Sequence, residues 1–266
     1  MTYQLLDSGH LRKLEAFGDI ILIRPCPIAI WAPKNPDLWK RARSTFSRED
    51  GWQGSTPKEW TCKFDDLKLR LEPTDFGHVG VFPDHQMIWK EMDQMTEEGD
   101  QVLNLFAYTG AASIASARKK ARVVHLDASK PSVEWAKKNA SLNGLEKANI
   151  RYIVDDAMQF VKREIKRGKS YEGIVLDPPS FGRGSKNQVF KIERDLMPLL
   201  QGCFKLLSKR AKFLILSCHT PGFTPTVLRQ VMSQVAKKES DAKEMLLTPE
   251  KGFEVPVGSC TILKMS

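Results

Sequence analysis

The sequence predicts an α/β protein with a mostly parallel sheet, a terminal antiparallel hairpin, and a small N-terminal β-rich α+β subdomain. In the second half, apolar segments with β-prone side chains alternate with helical segments, which indicates a parallel sheet with helices on both faces. The hairpin is predicted from 244–248 and 260–264, which flank a loop with Pro and Gly. The other predicted strands are 102–106, 122–127, 150–154, 173–177 and 211–217, and the predicted helices lie near 111–119, 130–142, 156–167, 190–207 and 224–238.

The N-terminal part of the chain predicts a separate subdomain. Its residues 19–24 form a strand candidate, and alternating apolar residues over 60–71 predict a β-hairpin. A helix is predicted over 82–95, followed by a short polar connector. We therefore expect a β-rich subdomain at 1–95, with RNA binding as one possible role, and a catalytic domain at 96–266.

A segment within this subdomain, residues 34–59, interleaves aromatic and basic side chains. Such side chains can stack on unpaired bases while they neutralise phosphates. The alternative is that the aromatic rings only pack this loop onto the second domain, and the sequence leaves both interpretations open. The residues are Trp39, Lys40, Arg41, Arg43, Phe46, Arg48 and Trp52.

The most informative stretch is 101–110, where an apolar run ends in a turn and a helical segment begins at Ala111. This order predicts the first strand-turn-helix unit of an open α/β sheet, a place where nucleotides bind. Gly110 lets the backbone approach a ligand closely, and the helix that follows points its free N–H groups the same way. A single glycine also occurs where a chain merely turns, so this turn does not decide the function alone.

Three later strand ends carry acids. Asp127 ends the second strand, 17 residues after Gly110, near the offset of about 20 at which an acid meets a ribose hydroxyl pair. The third strand is followed by 155–157, where the loop would pass an adenine edge. The fourth runs into Asp177-Pro178-Pro179, whose prolines stiffen a loop at the carboxyl end of the sheet.

Four motifs stand in a characteristic order: Asn-Leu-Phe-Ala-Tyr-Thr-Gly at 104–110, His-Leu-Asp-Ala-Ser at 125–129, Asp-Asp-Ala-Met at 155–158 and Asp-Pro-Pro-Ser-Phe-Gly at 177–182. In order and spacing they resemble class I S-adenosylmethionine (SAM)-dependent methyltransferases. Within this class, the motifs are most similar to those of the large-subunit (23S) ribosomal RNA methyltransferases, whose best-known members make 5-methylcytosine. The segment 77–86 is also similar to the one that precedes the catalytic domain in that branch.

This resemblance implies a Rossmann-like class I methyltransferase sheet, SAM as the cofactor, S-adenosylhomocysteine as the product and ribosomal RNA as the partner. The implied catalytic residues are Asp177 and Cys218. The implied substrate-binding residues are Pro179, Ser180, Phe181 and Arg183. The implied cofactor-binding residues are Phe82, Asn104, Phe106, Tyr108, Thr109, Gly110, Asp127, Ala128, Ser129, Asp156, Ala157, Asp177 and Pro178.

The acceptor atom decides which further groups the reaction needs. A base nitrogen can attack once hydrogen bonds orient its lone pair, and many amino methyltransferases do so at an Asp/Asn-Pro-Pro-aromatic turn; here Ser180 follows the prolines and Phe181 comes next. Cytosine C5 is a poor nucleophile, so a thiolate must first add at C6. Cys218, at the end of the fifth strand, is the candidate thiol, and Asp177 would then bind the cytosine N3/N4 edge. We favour cytosine C5 as the acceptor atom, with a base nitrogen as the alternative. In the structural interpretation, Cys218 is only a small buried thiol at the end of the strand.

Two other function classes share parts of this pattern. A dinucleotide-dependent dehydrogenase would also have the strand-turn-helix unit and Asp127, but it would show a glycine-rich run before Gly110, which this sequence lacks. A non-catalytic SAM- or RNA-binding protein could keep the same fold without turnover, because fold does not imply activity.

Composition places the chain among globular proteins. With 266 residues, 41% of them hydrophobic and 27% charged, it can form one full domain and a smaller one. We expect a cytoplasmic protein with no membrane partner, because the sequence shows neither a signal peptide nor an apolar stretch near the ~18 residues that span a bilayer. The five cysteines include no Cys-x-x-Cys pair, so we expect reduced thiols and no metal site.

The formal charge of +9 is unevenly distributed. Residues 1–95 hold 13 Lys/Arg against 14 Asp/Glu, so 28 of the 41 basic and 18 of the 32 acidic residues fall on 96–266. Local basic clusters occur at 118–122, 162–169 and 205–212. Such surfaces attract phosphate backbones, although a single cluster is more often only a solvated helix face.

Overall fold

The computed structural model describes residues 2–183 and 189–265, with the backbone alone of Arg183. The chain contains two compact units. The first unit comprises Met1–Gln86 and Leu246–Val257, and the second comprises Met87–Met245 and Gly258–Ser266.

These limits differ from the predicted division at residue 96. Most of the helix that precedes this point belongs to the second unit, and a segment from the C-terminal part of the chain belongs to the first. Domains 1–95 and 96–266 stay a prediction, because compactness alone does not show which part folds by itself.

The first unit contains a five-stranded sheet and a separate two-stranded hairpin. The strands of the sheet are β1 (Tyr3–Gly9), β2 (Arg12–Phe17), β3 (Ile20–Pro25), β4 (Ser44–Ser47) and β5 (Gly51–Gly54), and those of the hairpin are β6 (Trp60–Phe64) and β7 (Leu67–Leu71). The sheet follows chain order, with β3 and β4 parallel and the other neighbours antiparallel. The predicted hairpin over 60–71 is confirmed, with Phe64 opposite Leu67 beside the turn.

Strands β1 and β2 were not predicted, and for β2 a buried ion pair with β3 explains why. Glu15 points into the interior, where the Arg24 guanidinium donates to its two carboxylate oxygens at 2.7 and 2.9 Å. A buried charge is tolerated when it is paired in this way. The pairing conceals the alternation of apolar and polar residues from which a strand is normally predicted.

The predicted loop over 34–59 contains β4 and β5, and its aromatic residues pack within the first unit. Phe46 is buried, with its ring centroid 5.2 Å from that of Trp52. The Trp52 indole donates to the Thr74 carbonyl at 2.8 Å, and the Trp39 indole donates to Asp7 at 2.9 Å. These contacts favour a packing role for the aromatic rings over base stacking. The rings pack within their own unit, whereas the sequence-based alternative placed them against the second domain.

The second unit is a Rossmann-like sheet with flanking helices. Its elements are α1 (Gln86–Met95), β8 (Gln101–Leu105), α2 (Ala111–Arg118), β9 (Arg122–Asp127), α3 (Lys130–Leu142), β10 (Ile150–Val154), α4 (Ala157–Lys166), β11 (Gly173–Leu176), β12 (Phe181–Arg183), β13 (Val189–Lys191), α5 (Ile192–Lys205), β14 (Phe213–Cys218), α6 (Pro225–Ala236), β15 (Asp241–Leu247) and β16 (Val255–Lys264). The sheet has the order β10-β9-β8-β11-β14-β16-β15. Its first five strands are parallel, and β16 runs antiparallel to β14.

The predicted fold class is confirmed, and one connection differs from the prediction. Strands β12 and β13 form an antiparallel hairpin, so the helix predicted from residue 190 begins at Ile192 instead. Three-residue strands are too short to show a period in the sequence. The main core lies where apolar side chains of α4, α5 and α6 pack against the central strands β8, β11 and β14. None of the helices in the described residues has the length and hydropathy to cross a membrane.

Candidate functional site

The five parallel strands of the second unit end along one edge of its sheet. Because β8, β9, β10, β11 and β14 pair in parallel register, the loops that follow them lie side by side. We call this the carboxyl edge, and we call the opposite edge, where these strands begin, the amino edge. Ligands of open α/β sheets bind at the carboxyl edge, and every predicted strand-end acid of this chain lies there.

The turn between β8 and α2 is conformationally strained. Phe106, Tyr108 and Gly110 have φ angles of 55°, 49° and 92°, and positive φ is uncommon for residues other than glycine. The Ala107 amide donates to the Leu126 carbonyl at 3.0 Å and ties the turn to β9. Such strain is typical of sites where the backbone itself meets a ligand.

Helix α3 packs against this turn and supports it. The Asn139 side chain donates to the Thr109 carbonyl at 2.9 Å. A Cβ atom at Gly110 would lie 2.8 Å from the Cβ of Ala136, closer than real Cβ atoms approach. Glycine is therefore required at residue 110 both by its φ angle and by the packing of α3.

Asp127 links the turn to the loop after β9. Its carboxylate accepts the Tyr108 amide and the Ser129 amide, both at 2.8 Å. Burial raises the pKa of this carboxyl group, and the two backbone hydrogen bonds act in the opposite direction. A carboxylate has about four acceptor positions, so it can accept two further hydrogen bonds, as a pair of hydroxyls requires.

A buried polar chain lies between β8, α2 and β9. The Asn104 amide donates to the Ser113 hydroxyl at 2.9 Å, and that hydroxyl lies 3.0 Å from His125 Nδ1. Burial lowers the pKa of His125 to about 3, so the imidazole is neutral. These contacts give Asn104 a positioning role, and direct contact with the cofactor stays a prediction.

The loop after β10 carries the residues predicted to lie beside the adenine. The Asp156 carboxylate accepts the Gln159 amide at 2.8 Å and so caps α4, while Ala157 is buried. Asp155 forms an ion pair with Arg163, and its amide donates to the Asp127 carbonyl at 3.1 Å. The ends of β9 and β10 are thereby joined.

The Asp-Pro-Pro turn after β11 is bound to the end of β14. The Ser217 hydroxyl donates to Asp177 Oδ1 at 2.8 Å, and His219 Nδ1 lies 3.5 Å from the same oxygen. The hydroxyls of Ser180 and Thr220 are 2.7 Å apart. Asp177 is thus a half-buried carboxylate whose orientation is fixed from β14.

The prolines of this turn lead directly into the β12–β13 hairpin. Pro178 is buried, whereas Pro179 and Ser180 are exposed. Phe181 is 50% exposed, as a ring that stacks on a base would be. The Phe190 ring contacts that of Phe106 edge-on, with centroids 5.4 Å apart, so the hairpin touches the turn after β8. The predicted contribution of Arg183 concerns a side chain outside the described residues.

Cys218 lies within the core at the end of β14. It is 1% exposed and belongs to the cluster that contains Leu216 and Leu228. Burial raises the pKa of its thiol, although the Thr220 amide donates to the sulfur at 3.4 Å. The thiol is therefore protonated at neutral pH, and its predicted role as a nucleophile remains an untested prediction.

The chain was compared with known families and structures. The sequence model of the family described as S-adenosylmethionine-dependent methyltransferase matches residues 31–246. The chain belongs to this family. A crystal structure of a SAM-dependent methyltransferase from Agrobacterium tumefaciens is 32% identical and superposes with a TM-score of 0.95, covering 99% of this chain and 90% of that one.

Two curated relatives carry names that refer to ribosomal RNA. "Ribosomal RNA large subunit methyltransferase K/L" of Shewanella baltica is 32% identical over 204 residues, which is 72% of this chain and 26% of that protein. "Ribosomal RNA large subunit methyltransferase K" of Neisseria meningitidis is 28% identical over 210 residues, which is 77% of this chain and 59% of that protein. The chain therefore spans about a quarter of the first relative and about three fifths of the second.

The cofactor of this methyltransferase is SAM, and the carboxyl edge fits it. Asp127 offers acceptors for hydroxyls, the strained turn offers backbone groups, and the start of α2 offers free amides. Which residues touch the cofactor stays a prediction, including the implied contacts of Thr109 and Ala128. Phe82 belongs to the first unit, where its ring lies beside those of His78 and His85.

The basic clusters of the methyltransferase lie mostly at the amino edge, opposite the strand-end acids; Arg163, which pairs with Asp155, is the exception. The cluster at 118–122 joins the end of α2 to the start of β9, the one at 162–169 covers the last part of α4, and the one at 205–212 joins α5 to β14. The sequence relates these clusters to RNA binding but does not show where in the fold they lie. The topology separates them from the carboxyl edge.

Sequence reasoning missed the side chains that hold the site together. Ser217 orients Asp177, Phe190 contacts the turn after β8, and Ser113 links Asn104 to His125. Each of these contacts joins segments that are distant in sequence or lie on different elements. The strand order would have been needed to find them, and no local signal marks them.

Proposed function

We propose that this chain transfers a methyl group from SAM to a base of ribosomal RNA. The names of the two curated relatives support ribosomal RNA as the acceptor. The excess of basic residues in 96–266 supports a polyanionic partner in general.

We infer that the methionine end of SAM lies over the turn 106–110, the ribose hydroxyls on Asp127, and the adenine beside Asp156 and Ala157. SAM supplies a methyl group that is already activated by the sulfonium charge. The protein must therefore align the acceptor and exclude water. The strained turn and the fixed carboxylate of Asp127 are suited to that task, since neither has to reorganise when the ligand binds.

The single observation that carries the choice of acceptor is the environment of Asp177. Its carboxylate is half-buried and is held by Ser217 and His219, in a turn that continues through the buried Pro178 to the exposed Pro179 and Ser180. A fixed carboxylate accepts an N–H of a base and thereby directs the nitrogen lone pair toward the methyl group. The exposed ring of Phe181 can stack on the same base. This arrangement supports a base nitrogen as the acceptor.

The other candidate acceptor, cytosine C5, was favoured by the sequence and has less support from the site. It requires a thiolate that reaches C6 of the base. Cys218 is 1% exposed, and burial raises the pKa of its thiol. Exposure of the sulfur would require the loop after β14 to move, together with its links to Asp177 and Ser180.

Incubation of the purified protein with methyl-labelled SAM and 23S ribosomal RNA tests this proposal. We expect label in the RNA. Asp177→Ala should lose about a hundredfold or more of the rate, because an orienting group acts mainly in the transition state. Calorimetry should show SAM bound within a few-fold of the parent affinity.

Glu134→Ala is the matched control, because it removes an exposed carboxylate of α3 and should methylate at the parent rate. Absence of label from the RNA would contradict the proposed substrate. Full activity of Asp177→Ala would contradict the proposed role of the Asp-Pro-Pro turn.

A further inference from the structure

Four backbone segments are joined at the amino edge. The Gly99 amide donates to the Lys120 carbonyl, and the Arg122 amide donates to the Asp100 carbonyl. The Lys212 amide donates to the Glu172 carbonyl at 2.7 Å. The Tyr171 amide likewise donates to Leu206, and the Glu172 amide to Gln101. The bonded segments include residues of the clusters at 118–122 and 205–212, and Tyr171 follows Lys169 of the third cluster by two residues. The three clusters therefore border the same edge of the sheet.

We call the surface along this edge the basic rim. Its side chains come from the ends of α2, α4 and α5 and from the strand starts beside them. The members of the rim are Arg118, Lys119, Lys120, Arg122, Lys166, Arg167, Lys169, Lys205, Lys209, Arg210 and Lys212.

Acidic residues neutralise only part of the rim. Lys119 pairs with Asp93, Lys120 with Glu98, and Lys212 with both Glu97 and Asp100. Arg167 pairs with Glu164, and Arg210 lies 3.7 Å from Glu172. Within the described residues, no acidic partner is found for five exposed cations: Arg122, Lys166, Lys169, Lys205 and Lys209.

The carboxyl edge has the opposite character. Its strand ends carry Asp127, Asp155, Asp156 and Asp177, and one of the basic residues near them, Arg163, is paired with Asp155. A strand rises about 3.3 Å per residue, so the five residues of β8 separate the two edges by about 17 Å. One nucleotide placed beside Asp177 cannot reach the rim.

We propose that the basic rim is a second RNA-binding surface, which holds the phosphate backbone of the substrate at a distance from the modified base. This inference rests on the proposed function. Lysines on long flexible stems, spaced along three segments, suit a phosphate chain whose sequence is not read. The rim then adds affinity for a long RNA and contributes nothing to the alignment of the base.

The test compares two RNAs that contain the same modified nucleotide: a short stem-loop and a 23S fragment several times longer. The variant Lys169→Glu/Lys209→Glu removes two unpaired rim cations that lie outside the helices. For the long RNA, we expect binding to weaken about tenfold at physiological salt and the salt slope of log K to fall by about 2. Binding of the short RNA, kcat and SAM affinity should stay unchanged.

Lys137→Glu/Lys138→Glu on α3 is the matched control, since it changes the net charge equally outside the rim. Unaltered thermal unfolding and SAM binding show that each variant is folded. The proposal is overturned if the α3 variant weakens binding of the long RNA as much as the rim variant does. It is also overturned if the rim variant weakens binding of both RNAs equally, or if it binds the long RNA with parent affinity. If the parent methylates RNA and the rim variant binds the long RNA with parent affinity, the proposal for the rim is refuted and the proposed function stands. If the parent methylates no RNA, the proposed function is refuted.

Discussion

Asp127 is the residue on which two loops of the carboxyl edge depend. Its carboxylate holds the Tyr108 and Ser129 amides in place while it remains half-buried. It therefore fixes the backbone of these two loops and also presents acceptor oxygens. Loss of this one side chain removes both contributions.

Asp127→Ala should weaken SAM binding about ten- to a hundredfold, which corresponds to the roughly 1.5–3 kcal/mol of hydrogen bonds to a charged group. Isothermal calorimetry measures the change. Because burial raises the pKa of Asp127, the parent affinity should fall as the pH is lowered through that pKa and the carboxylate becomes protonated.

Asp127→Asn is the control, because it keeps one acceptor oxygen and cannot ionise at this position. It should lose less affinity than the alanine variant, and its affinity should no longer depend on pH in that range. Parent-like binding by Asp127→Ala would show that the ribose lies elsewhere.

The sequence predicts the position of single strand-end acids where a spacing or a motif defines them, and their roles stay predictions. Asp127 was found from its offset to Gly110, and Asp177 from the two prolines that follow it. Their partners were not found, because Tyr108 contributes its backbone and Ser217 comes from a strand that only the fold brings near. The burial of Cys218 also depends on α6, which follows it in the chain and supplies Leu228 to the same cluster.

At the scale of elements, the turn between β8 and α2 depends on α3. Gly110 adopts a φ of 92° directly against Ala136, and Asn139 binds the carbonyl of Thr109. The strained backbone is thus supported by the packing of a neighbouring helix.

Gly110→Ala should destabilise the protein by about 2–5 kcal/mol. The left-handed conformation costs a residue with a Cβ about 1–2 kcal/mol, and overpacking against Ala136 adds about 1–3 kcal/mol. Urea unfolding measures the loss as a lower midpoint.

Gly144→Ala separates the two contributions. Gly144 also has a positive φ, of 68°, but a Cβ there meets nothing within 4 Å. Gly144→Ala should lower the free energy of unfolding by only about 1–2 kcal/mol, from the backbone conformation alone. Equal losses for both variants would mean that α3 does not constrain the turn.

Elements with strong local signals were predicted closely. Helix α3 begins after Ser129, whose hydroxyl accepts the Ser132 amide, and ends before Asn143-Gly144, as the capping preferences of these residues indicate. The β12–β13 hairpin was missed because its strands have three residues each. Strand β2 was missed because its Glu15 is buried with Arg24 of β3.

At the scale of the whole molecule, the sequence gives the excess of basic residues but not its position. The three basic clusters are far apart in the chain, and each one taken singly is a solvated helix end. Parallel strand order brings them to the amino edge and places the strand-end acids at the other. The count of charges alone therefore predicts a polyanionic partner but does not show that the basic clusters lie at the edge opposite the strand-end acids.

We propose that a base nitrogen oriented by Asp177 receives the methyl group and that Cys218 does not attack the base. Nucleoside mass spectrometry of 23S ribosomal RNA, methylated in vitro by the parent and by Cys218→Ala, tests this assignment. We expect the same base-nitrogen-methylated nucleoside from both proteins, and no covalent adduct with RNA that contains 5-fluorocytidine. Formation of 5-methylcytidine by the parent, together with its loss in Cys218→Ala, would instead identify the thiol as the nucleophile.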